Sequence, residues 1–399
     1  MLSLLHAIDM EEHAADARER ARHAELARAD HRDVPPPLVA RGQRWEGGVQ
    51  IGRQREDRRH DFVRRERVRA RELGTEGFDC ATDRLGGVLV DLDRATDGDH
   101  RRDDSVRYSS TGMIGAGMIG LLHPGDEHEL EEFLCKHAAS SMFLRSNVRN
   151  AGLTDHSERH QATYAASFVD GRIVAVAAHA WNGMLLLQAP RELVAVSRLA
   201  VRVSSREVRG LAGPWTQVMA ARAALGLEDT TATLESNEDL FELELAAMIV
   251  PSDARCVRRA TVDDLATLAE FRHDYMVEAL HATPGEDLRH SAHGEMARAI
   301  AEATAFVLER DGEVVSYSGF NAQLPDVVQI GGVFTPRVHR KRGLARATVA
   351  GSLLHARERG AARAILFTDR HNAAARSAYV ALGFRVIGDY GLIMLEPPR

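Results

Sequence analysis

Apolar and polar positions alternate most clearly in two places. Tyr164 to Val169, then Asp170-Gly171, then Arg172 to His179 reads as strand, tight turn, strand, because an Asp-Gly pair tolerates the positive φ of a hairpin turn. The same pattern returns at Ala305 to Arg310, Asp311-Gly312 and Glu313 to Phe320. Ahead of each hairpin lies an amphipathic stretch with an acidic start, Asp126 to Leu144 in the first case and Thr261 to Leu280 in the second. The second opens on Thr261-Val262-Asp263-Asp264, a capping-box start, and presents Leu265, Leu268, Ala269 and Phe271 on one face. Beyond the second hairpin the pattern predicts a strand over Val327 to Thr335 and a helix over Leu344 to Arg359, closed by Gly360. A strand at Ala364 to Thr368, a helix at Asn372 to Leu382 ending on Gly383, and final strands over Phe384 to Leu395 follow. Gly210-Leu211-Ala212 also returns as Gly343-Leu344-Ala345. These repeats predict an α/β protein, a mixed sheet flanked by helices, built as two copies of one fold.

The first 112 residues differ in kind. They hold 21 arginines and 23 acidic residues with almost no sustained apolar period, so they bury too little surface to offset chain entropy. The expected division is a charged low-order segment at 1–112, with at most a short helix over Met10 to Arg32, then a domain at 113–253 and another at 254–399. Met113 or Met118 is an alternative start. The acids cancel the arginines locally, and the net charge is −7 over 399 residues, which argues against nucleic acid or an anionic membrane as partner. Cys80, Cys135 and Cys256 are few and widely spaced, without a metal or disulfide framework, and fit a reducing cytoplasm. Met1 to Ile8 is a poor signal peptide, and no stretch is long and apolar enough to span a bilayer. The histidines show no paired ligand spacing, so no metal is expected.

The candidate chemistry lies at Arg340-Lys341-Arg342-Gly343-Leu344-Ala345, between a strand and a helix. Small residues at Gly343 and Ala345 let successive backbone N–H groups face a pyrophosphate, and the helix dipole adds positive potential. Arg340, Lys341, Arg342 and Arg346 surround it with cations.

With Asn372, Tyr379 and Gly383-Phe384 following in order, residues 256–399 resemble the GNAT superfamily of acyl-CoA N-acyltransferases, whose phosphate signature Gln/Arg-x-x-Gly-x-Gly/Ala is matched at Arg340 to Ala345. The resemblance implies acetyl-CoA as acyl donor and an amine, on a small molecule or a peptide, as acceptor. It implies that Val333, Phe334 and Thr335 pair with the pantetheine arm and that Arg340, Lys341, Arg342, Gly343, Leu344, Ala345 and Arg346 hold the pyrophosphate. It further implies that Asn372 contacts the cofactor and that Tyr379 protonates the departing thiolate, a task suited to a phenol whose ordinary pKa is about 10. The plainer readings are that Asn372 caps its helix and that Tyr379 packs in the core.

Many relatives carry a glutamate base on the cofactor strand, whereas Val327 to Thr335 holds no carboxylate. His273, Asp274, Glu278, His281 and Glu286 are the candidate replacements. In the first copy, Glu207 to Ala212 is expected to match the phosphate turn, with an acid in place of Arg340, and Asn237 and Glu244 are expected to match Asn372 and Tyr379. That copy is read as degenerate. The leading function is direct acetyl transfer in a ternary complex; the alternative is a non-catalytic acyl-CoA sensor, which fold alone does not separate from it.

Overall fold

A computed structural model describes residues 118–280 and 282–396. The charged segment 1–112, its helix over Met10 to Arg32, the start at Met113, Cys80 and His281 fall outside the described residues.

One succession of elements runs twice. The first pass is β1 (Met118–Leu121), α1 (Glu127–Cys135), α2 (Met142–Ala151), β2 (Ala162–Val169), β3 (Arg172–Ala180), β4 (Met184–Gln188), α3 (Leu193–Ser204), β5 (Gly210–Gly213), α4 (Trp215–Ala224) and β6 (Ala232–Glu244). The second is β7 (Val257–Arg259), α5 (Leu265–Ala279), α6 (Glu286–Ala301), β8 (Ala305–Arg310), β9 (Glu313–Gln323), β10 (Val327–Phe334), α7 (Leu344–Glu358), β11 (Arg363–Asp369), α8 (Ala373–Val380) and β12 (Arg385–Leu395). Both hairpin turns are as expected: Asp170 and Gly171 have φ of 51° and 73°, Asp311 and Gly312 of 54° and 82°, the positive pair that a two-residue turn between twisted strands requires. Thr261 and Asp264 form the reciprocal capping box ahead of α5.

The stretch expected as one helix over Asp126 to Leu144 is instead α1 and α2. Serines stand at the break. Ser140 Oγ lies 2.7 Å from Gln188 Oε1 and 3.3 Å from His137 O, and Ser141 Oγ donates to the same Gln188 oxygen at 3.3 Å, so β4 holds both hydroxyls at the break.

The strands form one twelve-stranded mixed sheet, in the order β1-β2-β3-β4-β5-β12-β6-β11-β10-β9-β8-β7. The last strand of each half crosses over. β6 pairs antiparallel with β11, Glu244 to Glu238 against Arg363 to Asp369, while β12 pairs with β5, Met394 to Gly391 against Gly210 to Gly213. β6 and β12 pair with each other at the centre. A division at residue 253 therefore does not separate two closed sheets. Pattern alone misses this, because periodicity predicts a strand without naming its neighbour.

Side-chain parity fixes the two faces. Phe241 and Leu243 of β6 pack with α7, whereas Leu240 packs with Phe143 of α2 and Tyr390 of β12. One face is thus covered by α3, α4, α7 and α8, and the other by α1, α2, α5 and α6.

Candidate active site

The opening in the sheet is made by two parallel strands that part. β10 and β11 pair only at Val327, Val328 and Gln329 against Arg363, Ala364 and Ile365. From Ile330 onward β10 keeps β9 on one side, through Ile330–Phe320, Gly331–Gly319 and Phe334–Tyr317. Its other edge presents unpaired main-chain groups to the gap. A bulge between Gly331 and Phe334, with Gly332 at φ 67°, turns the strand as it opens. Val333 and Thr335 are half-buried beside that edge, and Phe334 is buried against Phe271. Ser316 Oγ holds the strand end, contacting Phe334 O at 3.3 Å and Thr335 Oγ1 at 2.9 Å.

Past Phe334 the chain makes a short turn over Arg337–His339 and enters α7 through two left-handed residues, Lys341 at φ 63° and Gly343 at φ 75°. Gly343 is the N-cap, and no side chain caps the helix. The first helical N–H to find a main-chain acceptor is that of Ala347, on Gly343 O at 3.0 Å. Those of Leu344, Ala345 and Arg346 project from the helix end, as the arithmetic of helix termini dictates. A left-handed entry followed by bare N–H groups and the positive end of a dipole is an anion-binding concavity.

The cations divide into two sets. Arg340 is engaged: its Nε donates to Thr335 O at 2.8 Å, its two terminal nitrogens form a fork on Glu278 at 2.6 and 3.0 Å, and its guanidinium lies 5.7 Å from the Phe334 ring centre. Arg337 adds a third contact to Glu278 at 3.3 Å. This ties the loop to α5. Lys341, Arg342 and Arg346 are exposed, and among the described residues none has an ion-pair partner. They are free to meet a diphosphate.

On the far wall, Asn372 is exposed and caps α8, its Oδ1 accepting from the Ala375 N–H at 3.1 Å. Tyr379 is buried on α8 between Phe241 and Phe384, at ring-centre distances of 6.2 and 5.9 Å. Burial pushes its phenol above the ordinary tyrosine range, so it stays protonated at neutral pH.

The expected bases fare unevenly. Glu278 is held below the usual carboxylate range, first by Arg340 and then by Arg337, and its lone pairs are occupied. His273 is buried with Nδ1 3.2 Å from Asp274 Oδ1, while Asp274 and Glu286 are exposed. None of these is brought beside Tyr379 by a described contact.

Other polar groups gather on the α2/α6 face; of these the sequence singled out Glu295 alone, with Glu278, Glu286 and Asp287, as an acid that could attract a cationic amine. Glu238 of β6 lies opposite Asp369 of β11 and Tyr390 of β12. Gln329, at the last paired position of β10, is wholly buried with neither amide atom partnered. Arg272 and Glu295 form a buried pair at 2.7 Å between α5 and α6. A cavity of about 460 Å³ lies between α2, α6 and β9; its lining includes Ser146, Glu295, Arg298, Tyr317 and Gly319. Tyr317 and Gly319 are the partners of Phe334 and Gly331, so this cavity backs onto the opened strand.

The corresponding place in the first half is closed. β4 and β5 pair at Met184, Leu185 and Leu186, but the next residues stay together: a Cβ on Gly213 would lie 2.6 Å from Leu187 O. The Ala189 N–H is already given to Gln217 Oε1 at 2.6 Å. The link into α3 is four residues, Ala189 to Glu192, with Pro190 lacking an N–H and Glu192 placing an acid at the N-cap. The expected alignment of Glu207 to Ala212 with the phosphate turn is corrected here, since Gly210–Gly213 is β5, the counterpart of β11. Asn237 and Glu244 are corrected likewise, both lying in β6. Counted from its N-cap Pro214, α4 has Ala221 where α8 has Tyr379. A shared Gly-Leu-Ala suggested the wrong register, because it serves a strand in one place and a helix start in the other.

Residues 265–384 match the model of the Acetyltransferase (GNAT) family. The C-terminal copy therefore carries a GNAT acetyltransferase domain. Among solved structures the chain is similar to a GNAT-family acetyltransferase from Colwellia psychrerythraea, at 14% identity over 70% of this chain and 99% of that one, with a TM-score of 0.40. It is also similar to a GCN5-related N-acetyltransferase from Sphaerobacter thermophilus, at 15% identity over 72% and 98%, TM-score 0.46. A third is a tandem GNAT protein from the clavulanic acid biosynthesis pathway, at 12% over 71% and 100%, TM-score 0.42. No curated protein sequence matches this chain. Among the described residues no helix is long and apolar enough to cross a membrane, and no cluster of potential metal ligands occurs.

Proposed function

We propose that the protein is an N-acetyltransferase that moves an acetyl group from acetyl-CoA to an amine by direct attack in a ternary complex. The observation that carries this reading is the parting of β10 and β11 over the uncapped, left-handed entry to α7, within the matched GNAT domain. Main-chain N–H groups at Leu344, Ala345 and Arg346 bind the diphosphate, supported by Lys341, Arg342 and Arg346. Arg340 contributes by holding the loop on Glu278 and Thr335 rather than as a free cation. The pantetheine arm lies along the open edge of Val333, Phe334 and Thr335 as an added strand would. Asn372 lines the opposite wall, and Tyr379 gives its proton to the thiolate. The acceptor amine enters from the cavity behind β9, and proximity to the thioester supplies much of the acceleration. Residues 113–253 serve as a degenerate second copy that walls this cavity and binds no CoA. The exposed free thiols of Cys135 and Cys256 accord with a cytoplasmic location.

The test has two arms. Calorimetry on the full chain should show one acetyl-CoA bound per chain, and a panel of amines, peptides and aminoglycosides should include an acceptor that drives CoA release. Binding without turnover for any amine would instead favour the acyl-CoA sensor. No binding at millimolar acetyl-CoA would remove both readings.

A further inference from the structure

A direct-attack transferase needs a group to take the ammonium proton, and among the described residues of the second half none of the expected bases is placed for it. β10 carries an amide, Gln329, where the strands part, and Glu278 is consumed by arginines. The first half sends a carboxylate into this space. β6 pairs with β11 without interruption from Glu244 to Glu238, so alternation puts Glu238 on the same face as Leu240, which packs under α2. Gln329 lies on that face too, since Val328 and Ile330 point the other way into the α7 core. Along β11, Asp369 stands four residues beyond Ile365, the last position joined to β10. Glu238, its cross-strand partner, is therefore level with the opened edge of β10, where a thioester would end.

The placement is costly for a merely structural residue. Two carboxylates directly opposite on adjacent strands repel, and among the described residues no cation pairs with either. Among the described residues, the titratable groups that meet the field of Glu238 are Asp369 from β11, Tyr390 from β12, Tyr379 from α8 and Tyr275 from α5.

Resting on the transferase reading above, we infer that Glu238, carried by the strand that the first half lends to the second, is the general base of acetyl transfer. The acceptor ammonium gives one proton to the Glu238 carboxylate, and the free amine attacks the thioester carbonyl carbon. The C–N bond forms and the C–S bond breaks. The thiolate takes the phenolic proton of Tyr379, and the remaining surplus proton on nitrogen restores the phenol; Glu238 releases its proton to solvent. Burial, with Asp369 adding to it and a hydrogen bond from Ser236 opposing it, pushes the Glu238 carboxyl up to about 6, so it is ionised at neutral pH yet more basic than an ordinary glutamate.

Glu238→Gln in the full chain is the test, with Glu238→Asp as the second variant and the acceptor taken from the amine panel. Glu238→Gln should lower kcat/KM by about 10²- to 10⁴-fold, leave acetyl-CoA affinity within about twofold of wild type, and abolish the acidic limb of the pH profile near pH 6. Its residual rate should climb with pH as the acceptor deprotonates itself, a response that a structural role would not give. Glu238→Asp should lose less and keep an acidic limb. Wild-type turnover matched by Glu238→Gln with an unchanged limb would overturn this assignment alone. Acetyl-CoA binding by wild type without turnover on any amine would overturn it together with the transferase reading.

Discussion

Ionised Glu238 is unfavourable where it sits, and this has a sign. Its folded pKa of about 6 lies above the ordinary 4.5, so the folded state binds its proton more tightly than the unfolded chain does. The stability it contributes is full below pH 4.5 and is lost as pH rises through 6. Glu238→Gln is therefore expected to melt with wild type at pH 4 and above it at pH 8, which thermal melts across that range will check; a variant gaining stability while losing turnover is the usual mark of a functional residue. Tyr379 offers the complementary case. Tyr379→Phe keeps the ring contacts with Phe241 and Phe384, so it should leave acetyl-CoA affinity within about twofold and reduce kcat by about 10²-fold or more, the scale of a lost proton donor. Equal kcat in steady-state assays would return Tyr379 to a packing role.

At the level of elements, the entry to α7 is a backbone device, and its mutation should act through the backbone. Gly343 has open space around a hypothetical Cβ, the nearest atom being Arg346 Nη2 at 3.7 Å, so what excludes other residues is its φ of 75°. Gly343→Val forces a β-branched residue into the left-handed region at a cost of about 1–3 kcal/mol. The turn should rearrange instead, weakening acetyl-CoA by at least about tenfold in calorimetry while the melting temperature changes little. Asn372→Ala separates two functions of one residue: loss of the cap alone costs about 1 kcal/mol, read by denaturant titration, and an added loss of acetyl-CoA affinity would mark the cofactor contact. Much of this level was legible in the chain. Asp-Gly pairs specified both hairpins, Thr261 and Asp264 the start of α5, and Gly343 the left-handed entry to α7, because each is a local demand of backbone geometry on residue type. Glu238 was not legible, since in the linear pattern it is one acid in a polar stretch of β6; only pairing with β11 gives it a neighbourhood.

For the molecule as a whole, the crossed strands make the halves mutually dependent. Residues 254–399 alone would leave β11 without β6 and expose the apolar edge and face that Phe241 and Leu243 cover, a template for aggregation. That fragment should be insoluble or self-associated by size exclusion, and co-expression with 118–253 should recover a soluble 1:1 complex that binds acetyl-CoA. Fragments that each fold as monomers would contradict the shared sheet. The order of the strands also sets a clock. β5 acquires its β12 neighbour only after about 180 further residues have been made, so at about 5–20 residues per second the ribosome holds the nascent first half unfinished for roughly ten to thirty-five seconds. Through that interval Leu211 and Ala212 must be shielded by something other than their eventual partner, which makes the growing chain, rather than the finished protein, the form most exposed to chaperones and proteases.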